Sequence, residues 1–326
     1  MMEKTDALLT VKGLTKHFNI SNSWFGKPTL LHAVDDMNFS VLKGQTLGVV
    51  GESGSGKSTL ARLLLKLISA TSGQVIYRGK DILPLKEKES GAIRRDLQMI
   101  FQDPYASLDP RVKIGEAIAE PLKEHKLYKK SADIKEHVGD MLAHVGLQRE
   151  MAGRFPHEFS GGQRQRINIA RALAMNPKLI ICDEAVSALD VSVQAQVLNL
   201  FNSLKEEFDL TYIFISHDLS VVKFVSDTII VMYLGEMMEM APAKELFAHT
   251  AHPYTKALIS AIPNPNPTIR KKRILLEGDI PSAVNLPDGC RFCSRCYMAR
   301  KECQTQHPPL QEIAPNHFVR CPYYAG

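Results

Sequence analysis

The run Gly51-Glu52-Ser53-Gly54-Ser55-Gly56-Lys57-Ser58-Thr59 constrains this chain more than any other segment. It fits the pattern G-x-x-x-x-G-K-[ST] in full, and its flanks fit as well. Leu47-Gly48-Val49-Val50 before it is a short apolar run, and after Ser58 the residues Leu60, Leu63, Leu64 and Leu67 fall at helical spacing. Strand, glycine loop and helix in that order build a phosphate cradle. The glycines let successive backbone N–H groups converge, and the helix turns its positive N-terminal end toward the anion. Lys57 is then expected to reach the β- and γ-phosphates, and the Ser58 hydroxyl to ligate Mg²⁺. A bland glycine turn would supply neither the lysine nor the hydroxyl.

Around that loop the pattern is α/β. Residues 7 to 50 read as strands, opening with Leu8, Leu9 and Val11. Residues 112 to 150 read as amphipathic helix, with Ile114, Ile118 and Leu122 on one side, an insertion rather than a continuation of the sheet. Strand character returns in the continuous apolar runs Leu179-Ile180-Ile181-Cys182 and Tyr212-Ile213-Phe214-Ile215, as in a parallel sheet covered on both faces. A helical stretch from Gln194 to Phe208 separates them. Asp183 and Glu184 close the first run. At a strand end one carboxylate can hold the Mg²⁺ shell while its neighbour polarises an attacking water. Alone, two such acids are as often a helix cap.

The 326 residues suffice for one large domain with an appendage or for two modest ones. With 44% hydrophobic and 23% charged residues, wholesale disorder is excluded. A net charge of +5 permits contact with phosphates or an anionic membrane surface, but does not call for nucleic acid, and none is expected as a partner. No stretch approaches the roughly 18 apolar residues of a membrane span, and Met1 to Asp6 lack the apolar core of a secretory signal. The expected place of work is the cytoplasm, with any transport role exercised through partners that cross the membrane.

Further along, Phe159-Ser160-Gly161-Gly162-Gln163-Arg164-Gln165-Arg166 resembles the signature motif of ABC ATPases, a helix opening whose hydroxyl and N–H groups can cap a γ-phosphate. Other segments resemble that family in the same order. Gln102, in Met99-Ile100-Phe101-Gln102-Asp103-Pro104, resembles its Q-loop glutamine, which touches Mg²⁺. Ser187-Ala188-Leu189-Asp190 resembles the D-loop, His217 the switch histidine, and Phe18 the aromatic that stacks on adenine, although an aromatic on an early strand is more often core.

The resemblance implies a RecA-like phosphate-loop core with a β-subdomain and an inserted helical subdomain at about 103–165. It assigns catalysis to Glu184, His217 and Gln102. ATP contacts fall to Phe18, Gly51, Ser53, Gly54, Ser55, Gly56, Lys57, Ser58, Thr59, Asp183, Asp190 and the partner-facing Ser160, Gly161, Gly162 and Gln163. Mg²⁺ falls to Ser58 and Gln102. In such proteins the phosphate loop of one ATPase subunit faces the signature motif of a second, identical or paralogous. One departure is Ala185, where the family usually has proline.

The end of the chain narrows the resemblance. His252-Pro253-Tyr254-Thr255-Lys256-Ala257-Leu258 is similar to the opening of the C-terminal extension in oligopeptide/dipeptide importer ATPases, and the F-type subunit of that branch is the nearest likeness. Segments 101–110 and 188–198 are similar to the same branch. This implies work on the cytoplasmic face of the membrane with two permease subunits and an extracytoplasmic substrate-binding protein, for peptide cargo. Nickel or another small solute is the alternative, and a soluble non-transport ABC ATPase the remote one. The expected division is 1–250 for the nucleotide-binding domain and 251–326 for the extension, with a boundary marked by Pro263-Asn264-Pro265-Asn266-Pro267 and the basic run Arg270-Lys271-Lys272-Arg273.

Five of the six cysteines crowd this extension. In a reducing compartment such crowding favours metal over disulfides. The family pattern G-C-x-F-x-x-R-C…C…C maps onto Cys290, Cys296, Cys303 and Cys321, and Cys293 is extra to it. By count, four thiolates suit a [4Fe–4S] cluster or zinc equally; the resemblance implies the cluster. Cys182 reads as a small core residue.

Overall fold

A computed structural model describes residues 7–21, 29–263 and 273–324. In chain order the first elements are β1 (Ala7–Asn19), β2 (Leu30–Leu42), β3 (Thr46–Val50), α1 (Lys57–Leu64), β4 (Ser72–Tyr77) and β5 (Lys80–Asp81). Next come α2 (Gly91–Asp96), β6 (Leu97–Ile100), α3 (Ile114–Glu124), α4 (Ser131–His144), α5 (Gly161–Leu173), β7 (Leu179–Asp183) and α6 (Val191–Phe208). The last are β8 (Thr211–Ser216), α7 (Leu219–Val225), β9 (Thr228–Tyr233), β10 (Glu236–Pro242), α8 (Ala243–Ala248), α9 (Pro253–Ser260), β11 (Gln311–Ala314) and β12 (His317–Val319). The proline-rich boundary and basic run proposed from sequence fall largely at 264–272, outside the described residues.

The chain divides into two compact units. The first comprises the described residues within Met1–Val41, Leu47–Leu83 and Ser216–Gly326, the second Leu42–Thr46 and Pro84–Ile215. The 250/251 line expected from sequence lies inside the first unit.

In the first unit, β2, β1, β4 and β5 form one sheet, with β1 antiparallel to β4 through pairs such as Leu9↔Tyr77 and Val11↔Val75. A second set runs β11-β12-β10-β9-β3, and β3 pairs parallel with β9 from Leu47↔Thr228 to Val50↔Val231. All five residues of β3 are buried, which is why it reads as an unbroken apolar run. α1 stops at Leu64, so Leu67, grouped with the helix by its spacing, lies beyond it and is exposed. Tyr233, Met238, Tyr254 and Phe292 share one core with Val50 and Val231. The extension therefore buries its apolar residues against β9 and β10 instead of building a core of its own.

In the second unit, β6, β7 and β8 are parallel, in register from Leu97↔Leu179 and Leu179↔Thr211. α3 and α4 occupy the stretch expected to be an amphipathic insertion, with Ile114, Ile118 and Leu122 buried. α6 begins at Val191, three residues before the expected Gln194, because Asp190 caps it. Cys182 is fully buried in β7, as expected of a core residue.

Candidate functional site

β3 delivers the chain into the loop 51–56, and α1 carries it away. Gly56 takes φ +102, and a Cβ there would stand 2.1 Å from the Ala33 carbonyl oxygen, so only glycine fits. Gly54, at φ +79, faces open space, where a Cβ would meet nothing within 4 Å. α1 has no side-chain cap and no acidic residue in its first turn, which suits an anion at that end. Lys57 is buried, its Nζ donating to the carbonyl oxygens of Gly51 and Glu52 at 2.8 Å each and to Ser55 Oγ at 3.3 Å. The ammonium thus sits within the curl of its own loop, near where phosphate oxygens would replace carbonyl oxygens.

The loop is also tied to the C-terminal extension. The Glu52 N–H donates to the Tyr254 hydroxyl at 3.0 Å. Arg295 donates to both carboxylate oxygens of Glu52, at 2.6 and 3.1 Å. The sequence reading missed both ties. Arg295 is the R of the pattern G-C-x-F-x-x-R-C, but nothing in that pattern marks its pairing with Glu52, 243 positions away.

Phe18, on β1, is half-buried rather than core, with the Lys16 ammonium 4.7 Å from its ring centroid. His217 follows β8 directly and is exposed. Beside Phe18, His17 and His32 both bond Asp35, with His32 Nδ1 at 3.1 Å. Arg291 of the extension reaches the same carboxylate at 2.5 Å. Burial would raise the Asp35 pKa, but the hydrogen bonds from His17 and Arg291 outweigh it and hold it below the usual carboxylate range.

In the second unit, Asp183 ends β7 buried, and Glu184 follows half-buried at φ +50, a conformation uncommon outside glycine. Gln102, exposed, donates through Nε2 to Glu184 Oε2 at 2.9 Å, so two candidate catalytic side chains meet. Ser160 caps α5 in a capping box: its Oγ accepts from the Gln163 N–H at 3.3 Å, and Gln163 Oε1 accepts from the Ser160 N–H at 3.0 Å. At Gly162 a Cβ would come within 2.4 Å of Val193 Cγ1, so this signature glycine also allows the starts of α5 and α6 to approach. Asp190 accepts from the Val193 N–H at 2.9 Å, and that bond lowers its pKa.

The extension encloses a cavity of about 140 Å³ lined by Cys290, Cys293, Cys296, Cys303 and Cys321. Burial, reinforced by the neighbouring thiols, pushes Cys290 up to about 12 and Cys296 up to about 11. Among the described residues, the group with three ligand atoms within 4.8 Å of one another is His17, His32 and Asp35; no three thiols are that close. Thiolates about 2.3 Å from one tetrahedral zinc would lie roughly 3.8 Å apart. The donor set, five thiols around one cavity, has the chemistry of a site for a thiophilic metal or cluster.

Comparison with known proteins agrees with this geometry. Residues 34–187 match the family model for ABC transporters, and residues 238–303 the model for the oligopeptide/dipeptide transporter C-terminal region. The chain is 52% identical to the oligopeptide transport ATP-binding protein OppF of Haemophilus influenzae, over 97% of each chain. It is 49% identical to the oligopeptide transport ATP-binding protein AppF of Bacillus subtilis, over 98% of each. Among solved structures, the dimeric ATP-binding cassette MJ0796 bound to ADP and Pi superposes with a TM-score of 0.63 at 28% identity, covering 72% of this chain and 98% of that one. CbiO1 of Clostridium perfringens gives 0.64 at 26% identity, covering 74% and 91%. The chain belongs to the ATP-binding proteins of the ABC transporter family, in the branch that carries the oligopeptide/dipeptide transporter C-terminal region.

Proposed function

We propose that the chain binds and hydrolyses ATP to energise import of di- and oligopeptides, from the cytoplasmic face of the membrane, through two permease subunits served by an extracytoplasmic binding protein. The observation that carries the ATPase reading is the buried Lys57 ammonium within a glycine loop at the end of a fully buried strand. The Lys57 ammonium exchanges loop carbonyls for β- and γ-phosphate oxygens, while Gly54 and the N–H groups opening α1 take the remaining charge. Ser58 and Gln102 would hold Mg²⁺, with Asp183 assisting, and the ion when bound would neutralise charge on the phosphates. Glu184 orients and polarises the attacking water, and His217 contacts the γ-phosphate. Phe18 stacks on the adenine, and Ser160 with its N–H groups closes on the nucleotide of a second ATPase subunit beside Asp190. Among the described residues no helix is long and apolar enough to cross a membrane, which supports a peripheral role.

The cysteine-lined cavity supports a [4Fe–4S] cluster held by Cys290, Cys296, Cys303 and Cys321, with zinc as the alternative. When bound, such a group cross-links a segment with little regular structure.

Reconstitution with the two permeases in vesicles tests the function. ATP hydrolysis and uptake of labelled peptide are expected together, both lost in Lys57→Ala. Hydrolysis with uptake of nickel and not peptide would overturn the cargo; hydrolysis indifferent to permeases would overturn the transport role.

A further inference from the structure

We propose that Arg295 of the C-terminal extension is a positioning residue for the phosphate loop: it fixes and neutralises Glu52 so that ATP meets a loop without an uncompensated carboxylate. The inference rests on the reading of 51–59 as the ATP site.

Glu52 is the second residue of a loop whose task is to bind a polyanion, and an acid there works against that task. Here the carboxylate is answered by Arg295, and the Glu52 backbone is held at two further points. Arg295 engages both carboxylate oxygens, at 2.6 and 3.1 Å. The Tyr254 hydroxyl takes the Glu52 N–H at 3.0 Å, and the Glu52 carbonyl takes Lys57 Nζ at 2.8 Å. Glu52 thus links the extension to the lysine expected to grip the phosphates. The Arg295 side chain is only 7% exposed and that of Glu52 27%, so solvent screens the pair weakly and the fork geometry is held.

Arg295 is itself fixed from two sides. It ends the short turn Cys293–Arg295, between two cavity-lining cysteines. Its guanidinium carbon lies 5.9 Å from the Tyr233 ring centroid. Tyr233 packs edge-on against Tyr254 and Phe292, at 4.9 and 5.3 Å between centroids. The aromatic group anchors both the tyrosine that holds the Glu52 backbone and the turn that holds its carboxylate. The extension is therefore built into the nucleotide site, and an ATPase of this design depends on its tail for ATP affinity.

The test is equilibrium binding of a fluorescent ATP analogue with Mg²⁺ to the full chain, with KM and kcat for hydrolysis and a melting curve on each variant. Arg295→Gln is expected to weaken binding and raise KM about tenfold, the scale of one charge-assisted contact, with kcat changed much less. The defect shrinks in high salt, because it is electrostatic. Glu52→Gln added to Arg295→Gln restores most of the affinity by removing the stranded carboxylate. Arg295→Lys, which keeps the charge but loses the fork, falls between wild type and Arg295→Gln. A double variant as weak as Arg295→Gln would overturn the proposal, since Arg295 would then act other than through Glu52. If Arg295→Gln does not fold, Glu52→Gln alone decides: it leaves the arginine beside the phosphates, so binding at least as tight as wild type is expected and weaker binding overturns. Lys57→Ala separates the two readings. If it too binds ATP normally, the ATP site itself is misassigned; if it alone loses binding, only the role of Arg295 fails.

Discussion

Gln102 Nε2 lies 2.9 Å from Glu184 Oε2 and donates a hydrogen bond to it, although 82 positions separate them. A carboxylate accepts several hydrogen bonds, so this one orients Glu184 without by itself preventing it from polarising water. Its backbone is held at φ +50, with Ser187 N–H and Oγ both donating to the Glu184 carbonyl, at 3.1 and 3.0 Å. Glu184→Gln keeps shape and removes the base. Hydrolysis is expected to fall by about 10² or more while ATP still binds, so that a closed dimer accumulates with ATP and Mg²⁺. Size-exclusion chromatography coupled to light scattering measures it; a monomer with ATP bound would count against the two-subunit mechanism.

Gly56→Ala sets a methyl 2.1 Å from a backbone oxygen at a residue with φ +102. Neither the Ala33 carbonyl nor the loop can move without pulling on β2 or α1. Strain of this kind costs about 1–3 kcal/mol before the clash is counted. ATP affinity is expected to fall by at least about tenfold, together with a lower melting temperature. Gly54→Ala carries only the backbone strain, with nothing within 4 Å of its Cβ, and should be the milder of the two by calorimetric titration.

The phosphate loop was legible because its chemistry is local: the eight consecutive residues Gly51 to Ser58 carry the curl, the lysine and the hydroxyl. The capped start of α5 was legible for the same reason, since Ser160 and Gln163 complete a capping box within one turn. Asp190 shows where the reading thins. Its motif pointed to nucleotide, and the structure gives it a second task as the cap that starts α6 early. Leu67 kept helical spacing past the end of its helix, because spacing does not mark a C-terminus. The shared core of the extension was out of reach. Phe292 and Tyr254 are visible as letters of the extension's motifs, but that they share a core with β9 and β10 shows only once those strands are in place.

Cys303 holds the extension in two ways. Its thiol lines the cavity, and its carbonyl accepts the Cys290 N–H at 2.8 Å. Cys303→Ser keeps the backbone bond and removes one thiolate. If the four thiols hold a cluster, anaerobically purified wild type contains about four irons and four sulfides per chain, and the variant loses most of both along with part of its folded yield. Zinc in place of iron would change the occupant but not the expected loss. Normal yield and melting temperature in the variant would show that the thiols are not what pins the tail.

His252 gives the extension an acid limit. It is 1% exposed, and its Nδ1 accepts the Tyr254 N–H at 3.1 Å to cap α9. The Ala251 and His252 N–H groups donate to Glu239, at 2.7 and 3.0 Å, and Glu239 also bonds His317 Nε2 at 2.8 Å. Burial lowers the His252 pKa from 6.5 to about 4, because a charged imidazole would lose both its water and its capping lone pair. The sign follows from proton counting. Between 6.5 and about 4 the unfolded chain binds a proton that the folded chain refuses. The stability contribution is therefore complete above 6.5 and is lost as the pH falls toward 4, by an amount on the order of 3 kcal/mol. His252→Asn offers a capping oxygen at the same place without titrating there. Urea melts at pH 7.5, 6, 5 and 4.5 should show wild type losing stability faster than the variant across that window. Parallel curves would mean that His252 is already free to protonate in the folded chain.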